Sequence, residues 1–162
     1  MKSMQNIKKI TQTGTMAEIR ECSETGNKSL HSAIELKSGQ VISGFGSKDV
    51  LDSPNYLTVQ IGDRQHIMLD PEFLQYINHS CSPNVFFDTE NMKVIALKNI
   101  EIGEEFTFFY PSTEWSMDRG FDCLCQSENC LKEIKGAADL PQDVLTKYKL
   151  SEYIQSQLKL EQ

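Results

Sequence analysis

The amino-acid sequence predicts a mainly β fold of several small sheets, followed by a cysteine-rich lobe and a C-terminal helical segment. Short runs of β-branched and aromatic residues recur between turn signals along the first two thirds of the chain. Helical spacing of apolar residues begins only after Pro141. Cys81 is followed by Cys123, Cys125 and Cys130, and four thiolates are the ligand set of a closed tetrahedral zinc site. We therefore expect one structural zinc ion, although spacing alone leaves four reduced thiols as an alternative.

Length, composition and charge fit one acidic domain. The chain has 162 residues, 39% of them hydrophobic, and its formal net charge is −7 (16 − 23). This charge argues against direct nucleic-acid binding, and it is compatible with a basic peptide partner or with simple solubility. No apolar run is long enough for a membrane span, and residues 1–12 lack the apolar core of a secretory signal. An intracellular protein is expected, cytoplasmic or, in a eukaryote, nuclear; its oligomeric state stays open.

The first elements are short and are separated by polar turns. The polar N-terminal segment, residues 1–17, is expected to fray or to add an edge strand. Apolar and β-branched runs then predict three strands, at residues 19–22, 30–36 and 41–45. Residues 47–55 are polar, contain a proline and predict a loop.

Two hairpins and a short helix are expected next. Pairs of apolar runs around turn signals predict the hairpins: 56–60 with 65–69 around Gly62-Asp63, and 84–88 with 92–97 around 89–91. Asp70-Pro71 is typical of a helix start. In the helix that follows, Phe73, Leu74 and Ile77 are expected to face the core.

A dense aromatic strand is predicted at residues 106–110. Because side chains alternate along a strand, Phe106, Phe108 and Tyr110 should share one face, and Phe109 should lie on the other with Thr107. After Pro141 two helical stripes of apolar residues follow, with a break near Ser151.

Four motifs occur in a specific order along the chain. They are Leu36–Ile42, the polar Asn-His-Ser-Cys-Ser-Pro-Asn of Asn78–Asn84, the Gly-Glu-Glu-Phe-Thr-Phe-Phe-Tyr of Gly103–Tyr110, and the Cys-x-Cys-x4-Cys of Cys123–Cys130. Together they resemble the SET-domain family of lysine methyltransferases with its cysteine-rich post-SET segment. The resemblance implies a SET-domain fold of the β-clip type over residues 18–111, a post-SET zinc segment over 112–136 and a helical tail over 137–162.

The resemblance also implies S-adenosyl-L-methionine as cofactor and roles for particular residues. Tyr110 matches the family's catalytic tyrosine. The residues implied to bind the cofactor are Asn78, His79 and Tyr110, with Asn27 and Lys28 from the position of the family's Gly-x-Gly motif. The implied aromatic substrate channel consists of Tyr56, Phe108, Phe109 and Trp115. The implied zinc ligands are Cys81, Cys123, Cys125 and Cys130.

The chain departs from the family pattern at three places. Asn27-Lys28-Ser29 replaces the usual Gly-x-Gly, Gln75 stands where an arginine is frequent, and Phe109 stands where an aspartate commonly precedes the tyrosine. Asparagine tolerates a positive φ better than most residues, so Asn27 is expected to keep the turn of the first motif.

The function implied is an S-adenosylmethionine-dependent protein-lysine N-methyltransferase that acts on a basic protein, histone-like or ribosomal. Two alternatives stay open. One is a catalytically weak SET-fold module that binds basic peptides, since the glycine motif is altered. The other is a methyltransferase for a non-histone protein or a small amine.

Overall fold

The structure is mainly β, as the sequence predicts. The computed structural model describes the backbone of residues 7–12, and the backbone and side chains of residues 14–161. In these ranges the strands are β1 (Ile7–Gln12), β2 (Ala17–Cys22), β3 (Lys28–Ser32), β4 (Val41–Gly44), β5 (Gly46–Leu51), β6 (Val59–Gly62), β7 (Gln65–Asp70), β8 (Asn78–His79), β9 (Val85–Asp88), β10 (Lys93–Ala96), β11 (Thr107–Phe108), β12 (Phe121–Asp122) and β13 (Glu133–Ile134). Short 3-10 helices span Glu72–Tyr76, Tyr110–Ser112 and Ala137–Asp139, and the α-helices are α1 (Gln142–Leu145) and α2 (Glu152–Leu160).

The strands form small separate sheets. Three sheets have three strands, in the orders β1-β2-β3, β4-β10-β9 and β5-β7-β6, and two have two strands, β8 with β11 and β12 with β13. The pairing of β8 with β11 is parallel, with Asn78 opposite Thr107 and His79 opposite Phe108. It places the polar motif directly beside the aromatic segment. Strand β1 is an edge strand, one of the two expectations for the N-terminal segment, whose residues 1–6 lie outside the described part.

The main core lies between the sheets, and residues 106–110 contribute to it alternately. Phe106 and Phe108 are buried in this core, and Tyr110 packs against it. Phe109 points the other way, into a second cluster that the C-terminal helices cover. The predicted alternation of this segment is confirmed.

Two predictions about the β5-β7-β6 sheet need correction. Residues 47–55 were predicted as a loop, but β5 pairs with β7 along most of this stretch. Strand β5 lies at the edge of its sheet, and its Lys48 and Asp49 are exposed. Because backbone hydrogen bonds rather than buried side chains hold it, its sequence lacks the apolar alternation that predicts a strand. The first hairpin forms, but its turn is Asp63-Arg64, one residue later than predicted, and Arg64 supplies the positive φ of 53°.

The helix after Pro71 is short, as the sequence predicts, whereas the aromatic strand is shorter than predicted. The helix after Pro71 is a single 3-10 stretch, and Leu74 and Ile77 are buried as expected. In the aromatic segment, ladder pairing is limited to β11, because Pro111 removes a donor and the chain turns into a 3-10 helix at Tyr110–Ser112.

The C-terminal tail is helical and breaks where predicted. The Ser151 hydroxyl accepts a hydrogen bond of 3.2 Å from the Ile154 amide and so caps α2. Leu145 and Ile154 are buried in the second cluster, where the Tyr148 ring stacks on Phe109 with ring centroids 3.6 Å apart. In the part of the chain that the structure describes, no helix has the length and apolar character needed to cross a membrane.

Candidate active site and metal centre

Asn84, the last residue of the polar motif, joins this motif to the segment before the aromatic strand. Its side-chain oxygen accepts a hydrogen bond of 2.8 Å from the Thr107 amide. Its side-chain nitrogen donates to the Glu105 carbonyl at 2.8 Å and to the Glu104 carboxylate at 3.0 Å. Because Asn84 is only 4% exposed, its side chain is shielded from water, and its hydrogen bonds hold the two segments in register.

His79 and Tyr110 meet across the parallel strands. The Tyr110 amide donates to His79 Nδ1 at 3.1 Å, and the two rings lie 5.2 Å apart. Since Nδ1 accepts, the proton of the neutral ring is on Nε2, which lies 3.4 Å from Cys81 Sγ. Burial lowers the pKa of His79 to about 4, so this ring is neutral at physiological pH. A neutral histidine therefore links Tyr110 to the cysteine-rich lobe.

Tyr110 also forms part of the wall of a cavity of about 580 Å³. Its hydroxyl donates to the Ile77 carbonyl at 3.4 Å, and its ring lies 4.6 Å from Phe108. Burial raises the pKa of the Tyr110 phenol, with the charge of Glu114 as a further contribution, so the hydroxyl keeps its proton. Most other wall residues are apolar, among them Val59, Leu69, Phe87 and Phe121.

The structure brings some of the predicted channel residues to this cavity and places others elsewhere. Phe108 lies in the wall, and Tyr56, which is 85% exposed, lies at the mouth. Phe109 does not line the cavity, because alternation turns it away and stacks it on Tyr148. Trp115 packs in the same second cluster, and its amide donates to the side chain of Gln60 at 3.0 Å.

Two of the other predicted cofactor residues, Asn78 and Lys28, contact each other. The Asn78 side chain donates to the Lys28 carbonyl at 3.2 Å, and the Lys28 ammonium lies 5.1 Å from the centre of the Tyr76 ring. Asn27 is exposed in the preceding turn. The positive φ of this turn, 74°, belongs to Gly26 rather than to Asn27, so the glycine one place earlier provides the conformation expected of the asparagine.

Glu114 is a site residue that the sequence reasoning missed. It lines the cavity and is 5% exposed. Its Oε2 accepts hydrogen bonds from the Gln60 amide at 2.9 Å and from the Thr113 hydroxyl at 2.7 Å. Burial raises the pKa of this carboxyl to about 7. In the sequence, Glu114 is a charged residue between Thr113 and Trp115, directly after the aromatic strand. Because a charged residue in a loop is normally exposed, this position did not identify Glu114 as a buried site residue.

The four predicted metal ligands come together. The sulfur atoms of Cys81, Cys123, Cys125 and Cys130 all lie within 4.8 Å of one another, and those of Cys81 and Cys123 are 3.8 Å apart. A tetrahedron with Zn–S bonds of about 2.3 Å has sulfur–sulfur edges of about 3.8 Å, so the cluster fits zinc. Burial raises the pKa of the Cys123 thiol to about 11, so the ionised form of this sulfur needs a cation. Cys22 lies outside the cluster.

The cysteine-rich lobe contacts the active-site residues directly. Phe121 lines the cavity, and its ring lies 5.6 Å from His79 and 5.8 Å from Tyr110. The Cys81 carbonyl accepts a hydrogen bond of 2.7 Å from the Tyr148 hydroxyl. A metal ion at the cluster would therefore hold one wall of the cavity in place.

Comparisons with known proteins agree with this arrangement. A family model described as the SET domain matches residues 2–111. The methyltransferase flvH of Aspergillus flavus is 37% identical over 132 residues, which are 80% of this chain and 74% of that protein. The H3 lysine-36 specific histone-lysine N-methyltransferase of Candida albicans is 35% identical over 68 residues, or 38% of this chain and 8% of that protein.

A solved structure shares the fold. The crystal structure of KRYPTONITE in complex with mCHH DNA, H3(1-15) peptide and SAH aligns with a TM-score of 0.54 and 22% sequence identity. The alignment covers 71% of this chain and 28% of that chain. The chain thus spans most of the Aspergillus relative and a small part of the Candida and KRYPTONITE proteins.

Proposed function

We propose that this chain, which belongs to the SET-domain family and is a SET-type methyltransferase, transfers a methyl group from S-adenosylmethionine to a lysine ε-amine. The proposed substrate is a basic segment of a histone-like or ribosomal protein. One observation carries the proposal: Tyr110 packs on His79 of the polar motif and also lines the cavity. A methyl donor held at the motif and an amine in the cavity would meet at the Tyr110 hydroxyl.

The chemistry asks little of the protein beyond position and protonation. When bound, S-adenosylmethionine supplies a methyl group on an activated sulfonium, so no covalent nucleophile is required. The chain must hold the amine in line with that methyl group and keep it neutral. The apolar wall around Phe108 disfavours the ammonium form, and the protonated Tyr110 hydroxyl offers its oxygen to an amine N–H. In this proposal Tyr56 guides the amine at the mouth, whereas Phe109 and Trp115 support the site by packing.

The cofactor side is proposed to consist of Asn78, His79 and Lys28, with Asn27 at its outer edge. Asn78 and Lys28 already share a hydrogen bond, and the amide and carbonyl groups around it suit the polar ends of the cofactor. The SAH in the KRYPTONITE structure supports the choice of cofactor.

We also propose one structural zinc ion at the four cysteines. The ion would occupy a closed site, with no position left for water, and would tie residues 112–136 to the polar motif. In this division residues 18–111 form the SET domain with Tyr110 and the polar motif, and the helices of the C-terminal tail cover Phe109. Reduced thiols in such a site fit an intracellular protein.

A second candidate function is methyl transfer to a small free amine. The observation that favours it is the cavity volume of about 580 Å³, since pockets that enclose whole small molecules measure roughly 300–1,000 Å³. A lysine side chain alone would leave part of this volume empty.

Methyl transfer itself tests both candidates. The chain is incubated with labelled S-adenosylmethionine and, separately, with mixed core histones, ribosomal proteins and a set of free amines. Label in protein, assigned to lysine by mass spectrometry, supports the first function, and label only in a free amine supports the second. Cofactor binding without label in any acceptor would reject both and favour a peptide-binding module.

A further inference from the structure

Glu114 is a buried carboxylate without a cationic partner. Among residues 14–161 no lysine, arginine or histidine forms an ion pair with it. Buried carboxylates are normally paired, so an unpaired one in a cavity wall calls for a partner that is not part of the described chain.

The hydrogen bonds of Glu114 leave one oxygen free. Both the Gln60 amide and the Thr113 hydroxyl donate to Oε2, at 2.9 and 2.7 Å. Within the described residues no hydrogen bond reaches Oε1. These two bonds hold the carboxylate in one orientation and leave Oε1 as an acceptor for a group in the cavity.

Glu114 and Tyr110 belong to the same wall. The 3-10 turn after Tyr110 brings the chain back, and the Glu114 amide donates to the Tyr110 carbonyl at 3.0 Å. Both side chains line the cavity, and the charge of Glu114 contributes to the raised pKa of the Tyr110 phenol. An amine placed at the Tyr110 hydroxyl therefore lies in the field of the Glu114 carboxylate.

We propose that Glu114 binds the acceptor amine in the cavity and removes its proton, an inference that rests on the proposed methyl transfer. The amine enters as an ammonium ion, and one N–H proton moves to Glu114 Oε1. The nitrogen lone pair then forms the bond to the methyl carbon, and the C–S electron pair stays on the cofactor's sulfur. The methylated ammonium leaves, and the carboxyl returns its proton to water.

This role solves a problem that an apolar cavity creates. A lysine amine has a pKa of about 10.4, so near pH 7.4 only about one in a thousand is neutral. A carboxylate with a pKa raised to about 7 by burial attracts the abundant ammonium form and then accepts its proton close to neutral pH.

Other titratable groups near Glu114 are few. Those that share its cavity are Tyr110 in the wall and Tyr56, Asp118 and Arg119 toward the mouth, and Tyr153 of α2 approaches the neighbouring Gln60. Asp118 and Arg119 are exposed, so solvent screens their charges. The shift of the Glu114 carboxyl comes from burial rather than from a neighbouring charge.

The test compares the pH dependence of kcat/KM for three full-length proteins: the parent, Glu114→Gln and Asp49→Asn. The substrates are labelled S-adenosylmethionine and, as acceptor, a synthetic H3 tail peptide or free lysine. Glu114→Gln keeps an oxygen for the Gln60 and Thr113 donors but loses the charge. In the parent and in Asp49→Asn, an exposed charge control on β5, kcat/KM should rise with an apparent pKa of about 7 and then level. In Glu114→Gln it should be about a hundredfold lower near pH 7.5 and keep rising toward pH ~10, as the ammonium ion loses its proton to water.

Thr113→Val provides a second test that does not depend on Glu114→Gln folding. The Thr113 hydrogen bond lowers the pKa of Glu114, so its loss should move the rising limb to higher pH. A Glu114→Gln profile equal to that of the parent would show that Glu114 does not act on the acceptor amine. An equal loss at every pH with a lowered Tm would show a merely structural role. Either result would overturn the proposal. A limb that does not move in Thr113→Val would overturn it too. An active parent with these outcomes leaves methyl transfer standing, whereas a parent that labels neither acceptor overturns both.

Discussion

Replacing Asn84 by alanine should destabilise the fold by about 3 kcal/mol. The side chain makes three hydrogen bonds, with the Thr107 amide, the Glu105 carbonyl and the Glu104 carboxylate, at 2.8 to 3.0 Å. Each such bond contributes about 1 kcal/mol net, and the substitution removes all three from a partly buried place. The expected loss is a large share of the roughly 5–15 kcal/mol that stabilises a domain of this size.

The assay is equilibrium unfolding in urea, which reports the free energy of unfolding from the midpoint and slope. Asn91→Ala is the matched control, because the side chain of this exposed asparagine donates one hydrogen bond of 2.9 Å to the Asp88 carboxylate at a hairpin turn. Its substitution should change the free energy of unfolding by less than about 1 kcal/mol. An Asn84→Ala loss no larger than that of the control would refute the reasoning that the motif's last residue holds the two segments together.

Two further predictions concern the lobe and the tail. Metal analysis should find one zinc ion per chain. Chelation should speed amide hydrogen exchange at residues 121–134 and lower methyl transfer at least about tenfold, because Phe121 loses its position beside Tyr110. The absence of metal, or unchanged exchange after chelation, would contradict this prediction. Phe109→Ala should lower the free energy of unfolding by about 3–5 kcal/mol, because Phe109 is 1% exposed and stacks on Tyr148. Thermal unfolding beside exposed Leu160→Ala measures that effect, and equal losses in the two variants would argue against a supporting role for Phe109.

Local patterns predicted the parts of the fold that depend on neighbouring residues. Alternation placed Phe108 and Phe109 on opposite faces, and the break near Ser151 followed from the spacing of apolar residues. The cysteine spacing predicted a cluster whose sulfurs the structure brings within 4.8 Å. In each case the relevant information lies within a few residues or in a ligand set with strict chemistry.

The remaining features depend on contacts between distant segments. The polar residues of β5 become a strand because β7 lies alongside, which no local propensity records. Trp115 is an aromatic residue that the resemblance implies for the channel, but in the fold it packs in the second cluster, which the C-terminal helices cover. The sequence predicts Glu114 to be an exposed loop residue. The fold instead places it next to the Gln60 amide, 54 positions away in the chain.

The most direct test of the account compares Tyr110→Phe with the parent chain in methyl transfer from labelled S-adenosylmethionine. Tyr153→Phe is the control, since it removes a hydroxyl from α2, outside the residues that line the cavity. We expect label on the acceptor amine with the parent and the control, and a loss of about tenfold or more, equivalent to about 1.4 kcal/mol, in Tyr110→Phe. Equal transfer by all three proteins would contradict the claim that the reaction takes place at the Tyr110 hydroxyl.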